Sequence, residues 1–105
     1  MKPAHFLGDS LDAIREFPAS ARREAGYQID RVQNGVEPTD WKSLKTVGSG
    51  VREIRIREAM GAYRIIYVAN LAEAVYVLHA FQKKTQATAK RDLELATSRY
   101  AQLTR

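Results

Sequence analysis

The stretch "VREIRIREAMGAYRIIYVANLAEAVYVLHAFQKK", Val51–Lys84, falls into three apolar runs separated by two short breaks. In "VREIRIRE" the alternation sets Ile54 and Ile56 on one side and Glu53, Arg55 and Arg57 on the other, the period of a half-buried strand. "AMGA" reads as a turn around Gly61, and "AYRIIYVA" is a second strand, apolar nearly throughout except for Arg64. "NLAE" turns the chain again and "AVYVLHAF" is the third strand. Connections this short predict an antiparallel meander that packs one face on helices and leaves the other to solvent.

Working outward, "GDSLDAIREFP" places Leu11, Ile14 and Phe17 three apart, with Asp9 or Ser10 as N-cap and Pro18 closing the segment. "PASARREAGYQIDRVQNG" gives a second helix whose stripe is Ala21, Ala25, Ile29 and Val32, with Pro18 in its first turn and Gly35 at its end. Val36 to Gly50 has no sustained period and reads as a loop held down by Trp41 and Leu44. Past the strands, Leu93, Ala96, Tyr100 and Leu103 recur at helical spacing, with Thr88 as N-cap. The expected fold is α+β: two N-terminal helices, an antiparallel meander of three or four strands and a C-terminal helix, the helices covering one side of the sheet.

Length and composition fit that reading. A chain of 105 residues makes one domain, 1–105, with a core large enough to need no metal or disulfide. There is no cysteine, which excludes disulfides and thiolate metal sites and agrees with a reducing cytoplasm. No apolar run approaches the roughly 20 residues of a membrane span, and the N-terminus lacks the basic-then-apolar order of a signal peptide. A soluble cytoplasmic protein with no membrane partner is expected. Seventeen Lys plus Arg against 12 Asp plus Glu gives +5, an excess that suits a nucleic acid or an acidic protein.

Arg55 and Arg57 leave one strand together, Arg64 interrupts the next, and His79, Phe81, Lys83 and Lys84 end the third. On one surface these cations would bind phosphates, and Phe81 would offer a face to an unpaired base. Each also has a plain structural reading. Arg55 and Arg57 fit a solvated strand face, paired to Glu53 or Glu58; Lys83 and Lys84 fit edge protection; His79, at period two from Val75, Val77 and Phe81, fits a hydrogen-bonded core histidine. Arg64 needs an anionic partner or an opening to solvent, because an unpaired buried charge costs several kcal/mol. "VGSG" lacks the lysine-serine ending of a phosphate loop, and Ser49 lacks the setting of a nucleophile elbow.

Taken together, "VREIRIRE", "GAYRIIYVA" and "AVYVLHAFQKKTQATAKRDLELATSRY" resemble the phage-derived branch of the RelE/HigB toxin family, within the RelE/ParE superfamily. The likeness runs from about Trp41 to Tyr100. That branch usually reads like "KKTQKTPKRE", so Ala87 and Ala89 stand here where a lysine and a helix-starting proline are usual. The resemblance implies the toxin of a toxin–antitoxin pair, an endoribonuclease that cuts mRNA on the translating ribosome and is held in check by a cognate helix-turn-helix antitoxin. It implies no metal or other cofactor. By position it assigns Arg57 and Arg64 to the scissile phosphate, His79 or Lys83 to proton transfer, and Arg55, Phe81 and Lys84 to RNA binding. The alternatives are a ParE-like inhibitor of DNA gyrase and a non-catalytic binding module of the same fold.

Overall fold

Two short strands that the periodicity does not mark extend the meander at its edges. In the computed structural model, which describes residues 1–104, the elements run β1 (Ala4–Phe6), α1 (Ser10–Arg15), α2 (Ala19–Gln33), β2 (Trp41–Ser43), β3 (Val51–Glu58), β4 (Gly61–Val68), β5 (Val75–Lys83) and α3 (Lys90–Thr104). They form a mixed α+β fold around one five-stranded sheet of order β1-β5-β4-β3-β2. The expected meander is β3-β4-β5, with β2 antiparallel on β3 and β1 parallel on β5. At three residues each, β1 and β2 are too short to show an alternation, and long-range backbone bonds such as Leu7 N to Val77 O at 2.9 Å hold them in place.

The expectation that the helices cover one side of the sheet is corrected. Ile14 and Phe17, with the α2 stripe Ala21, Ala25, Ile29 and Val32, bury Ile54, Ile56, Tyr63, Ile65 and Tyr67 on one face. Ala96 of α3, flanked by Leu93, Tyr100 and Leu103, packs on the opposite face against Leu44, Val47, Val51, Ile66, Val68 and Leu78. The physical reason is visible in β4: "YRIIYV" is apolar at both parities, and such a strand must be covered on both faces. Each large side chain so buried contributes roughly 1.5–3 kcal/mol.

The helix ends also differ in detail from the sequence reading. Asp9 takes the N-cap position of α1 without a side-chain capping bond; its carboxylate instead meets Arg99 Nη2 at 3.0 Å. That guanidinium holds the Asp9 carboxyl below the usual carboxylate range. Pro18 occupies the N-cap position of α2, and Gly35 follows the Asn34 C-cap with φ +78°, the left-handed turn that ends a helix at low cost when the residue is glycine. Thr88 does not cap α3. Its hydroxyl reaches across to Glu53 of β3, and the Ala89 carbonyl accepts the first helical bonds, from Asp92 and Leu93. Further along α3, Arg99 Nη1 donates to Leu78 O at 2.9 Å and Tyr100 OH to Ser49 O at 3.2 Å. The Tyr100 ring lies so close over Gly48 that a Cβ there would clash, which gives part of "VGSG" a packing role.

A β-bulge in β5 sets the site. His79 lies opposite Ile66, yet Val77 lies opposite Tyr67, so Leu78 is an extra residue and the alternation slips by one. Val75 and Val77 therefore face α1 and α2, whereas His79, Phe81 and Lys83 face the other way. Without the bulge all five would share a face.

Candidate functional site

Three strands bring the sequence-predicted residues onto one face as a lattice. Arg64 of β4 lies opposite Arg55 of β3 on one side and Phe81 of β5 on the other; Arg57, Ala62 and Lys83 make the next row toward the strand ends; Glu53, Ile66 and His79 make the row behind. Opposed residues in antiparallel strands have Cα atoms about 4.5–5.5 Å apart and rows on one face about 7 Å apart, so these side chains reach one another. Ala62 leaves the space between Arg57 and Lys83 open. The cations line a shallow, open cleft of about 450 Å³ walled by Arg57, Arg64 and Lys83 and bordered by the Lys84–Gln86 segment. A second cleft of about 520 Å³ lies on the far side of Lys83 and Lys84, between Phe81 and the start of α3 at Arg91 and Asp92.

The electrostatics differ from residue to residue. Arg64 is 4% exposed; Nη1 donates to Tyr63 O at 3.1 Å, and Nε lies 3.7 Å from Glu53 Oε1. Burial draws its pKa below the ordinary arginine value, opposed by the Glu53 charge and assisted by Arg55 and Arg57. Arg55 is half-buried and lies 3.7 Å from Asp40. Among the described residues, Arg57 and Lys83 form no ion pair with a carboxylate. Desolvation, then the neighbouring Arg64 cation, lowers the Lys83 ammonium pKa from its usual 10.5. A cation that yields its proton more readily than an ordinary lysine suits proton transfer, while two guanidiniums that remain charged suit phosphate binding.

His79 stands apart from both clefts. Its Nε2 lies 2.7 Å from Asp92 Oδ1, and its ring stacks on Phe81 with centroids 5.1 Å apart. A carboxylate only accepts, so Nε2 carries the proton in this bond, and Nδ1 is buried without a partner. The pair ties α3 to the sheet, so His79→Ala is expected to lower Tm, leaving Asp92 buried without its partner, and to leave the pH profile of any activity unmoved. A differential melt and a rate–pH series check this; a shifted profile at unchanged Tm would return His79 to proton transfer.

Sequence reasoning did not single out Lys42, Asp92 or Arg99; it read Thr88 only as a helix N-cap and Glu53 only as a possible partner for surface arginines. Glu53 is fully buried, with Lys42 Nζ at 3.8 Å, Arg64 Nε at 3.7 Å and Thr88 Oγ1 donating at 2.9 Å. The available signal was parity: Glu53 shares the alternation of Arg55 and Arg57. Among the described residues, no three His, Asp or Glu side chains converge as a metal-ion cage. Among the described residues, no helix is long and apolar enough to cross a membrane.

A five-stranded sheet with a cationic cleft at one end and helices on both faces defines a small α+β domain with a cationic surface. Residues 12–101 match the family described as Phage derived protein Gp49-like (DUF891), and the chain belongs to that family. This membership is compatible with a toxin-like role. No curated protein matches the chain.

Proposed function

We propose that this protein is the toxin of a toxin–antitoxin pair and acts as an mRNA endoribonuclease on the translating ribosome, in the RelE/HigB manner that its sequence resembles. The observation that carries the reading is the convergence of Arg57, Arg64 and Lys83 in one cleft, with Phe81 beside Arg64 in the same lattice. In the reaction the ribose 2′-oxygen attacks the adjacent phosphorus, the bond to the 5′-oxygen breaks, and a cyclic phosphate and a 5′-hydroxyl result. Arg57 and Arg64 offset the charge that develops on the phosphoryl oxygens. Lys83 exchanges the proton at the reacting oxygens, its lowered pKa favouring that task over a fixed charge. Phe81 stacks on a base, and Arg55 with the exposed Lys84 holds flanking phosphates. His79 acts behind them, orienting Phe81 and anchoring α3. The ribosome supplies much of the alignment, so the protein contributes few groups.

The protein works in the cytoplasm, where its partners are mRNA, the ribosome and an antitoxin with a helix-turn-helix domain. An acidic or helical antitoxin segment laid over the Arg57–Lys83 cleft would cover the site and offset its charge. Induced expression without the antitoxin tests the reading: translation is expected to stop first, with new 5′ ends appearing inside coding regions at fixed codon positions. Intact transcripts with failing DNA supercoiling would favour gyrase inhibition, and neither effect would favour a binding module.

A further inference from the structure

We propose that Glu53 is the positioning residue for Arg64: a buried carboxylate that turns the guanidinium toward the cleft. Its catalytic consequence rests on the nuclease reading above, but the geometry stands by itself. Glu53 is wholly removed from water, and its neighbours come from three elements: Arg64 of β4, Lys42 of β2, and Thr88 from the segment that leads into α3. An isolated carboxylate in that position would be severely disfavoured, so these groups and the charge belong together.

What Glu53 does to Arg64 follows from where the guanidinium is held. Nη1 donates to Tyr63 O, and Nε faces Glu53 Oε1. Both lie on the protein side of the group, which leaves the Nη2 end without a protein partner among the described residues, on a side chain that lines the cleft with Arg57 and Lys83. At 3.7 Å, Arg64 Nε and Glu53 Oε1 attract as charges without closing a hydrogen bond; both atoms are buried without a hydrogen-bond partner among the described residues, and Lys42 Nζ stands 3.8 Å from the same Oε1. The guanidinium is thus aimed by Glu53 yet keeps freedom to advance on a phosphate. Glu53 opposes RNA binding by its sign, so an orienting role and a binding role predict opposite effects when its charge is removed.

Glu53→Gln in the full chain separates them, because glutamine keeps the volume and can still accept the Thr88 hydrogen bond. Three measurements are made: affinity for a single-stranded RNA oligonucleotide blocked by 2′-O-methylation, cleavage of a message on purified ribosomes, and the chemical shift and line width of the Arg64 Nε–H signal by NMR. The expected result is affinity unchanged or tighter, cleavage lower by on the order of 10²-fold, and a shifted, altered Nε–H signal as the guanidinium loses its fixed position beside the carboxylate. In an Arg64→Lys background the same change should lower cleavage no further, since Glu53 acts through Arg64. Affinity and cleavage falling together, an unchanged cleavage rate, or an equal loss in the Arg64→Lys background would overturn the proposal. If Glu53→Gln does not fold, Glu53→Asp keeps the charge but withdraws it, and intermediate cleavage is expected; full cleavage would overturn the proposal. A wild-type protein that cleaves no RNA would end the nuclease reading, while the NMR comparison would still decide whether Glu53 holds Arg64.

Discussion

Lys83→Gln is expected to reduce RNA cleavage by about 10²-fold or more while leaving the fold intact, because it removes the cation that both charge stabilisation and proton transfer would use. Lys83 ends β5 beyond the short reach of β1, half-exposed and, among the described residues, without a carboxylate partner, so glutamine strands no buried group. The stability effect has a definite sign. The folded pKa lies below 10.5, so between the two values the unfolded chain binds more protons and stability rises with pH; below the folded pKa the full penalty of holding the ammonium is present. Replacing Lys83 removes that penalty, and Tm at neutral pH should be unchanged or slightly higher. If Lys83 acts as the base, the wild-type rate should rise with pH and level off before the ordinary lysine range, and the Gln variant should lose that limb. Lys84→Gln, at an exposed position of opposite parity, should cost much less. A fully active variant carrying both changes would return "HAFQKKT" to protection of a sheet edge.

Arg64→Ala is expected to abolish activity and also to destabilise the protein heavily. From sequence, Arg64 needs an anionic partner or an opening to solvent; the buried Glu53 carboxylate beside it supplies the partner and ties its loss to stability. Truncating Arg64 leaves Glu53 with Lys42 and Thr88 alone, and breaking a buried pair in this way costs about 3 kcal/mol or more. For a domain of this size that corresponds to a fall in Tm of roughly 10–25 °C. The companion variant is decisive: adding Glu53→Gln to Arg64→Ala should recover much of the Tm without recovering activity, because the stranded charge is gone but the guanidinium is still missing. Arg23→Ala, at an exposed position on α2, should change neither quantity. A simple loss of Tm in Arg64→Ala that Glu53→Gln leaves unrelieved would show that the packing of the arginine stem, not the charge pair, is what matters.

The meander and the helical stripes were legible because their period is a local property. Ile54 and Ile56 at period two, and Ala21, Ala25, Ile29 and Val32 at helical spacing, carry their burial in the order of the residues, and the structure buries all of them. Arg55 and Arg57 were legible as a pair for the same reason, since parity within β3 places them on one face; Arg64 joins them only through the β3–β4 register. β1 and β2 were not, because three-residue strands exist only through partners distant in the chain. Nor was the side on which α3 docks, although the doubly apolar β4 already required a cover for both faces.

Tertiary structure alone decided the functional geometry. One extra residue at Leu78 separates His79, Phe81 and Lys83 from Val75 and Val77, and a bulge depends on which backbone groups find partners across the sheet, not on composition. Likewise, whether Glu53 is a solvated surface acid or the buried counter-charge of Arg64 depends on α3 and Thr88 closing over it from 35 residues away. The sequence by itself determined which side chains share a face along an unbroken strand such as β3; the cross-strand pairing set the faces in β5, and the long-range packing determined which side chains lose water, and hence which charges must pair and which stay free to meet a phosphate.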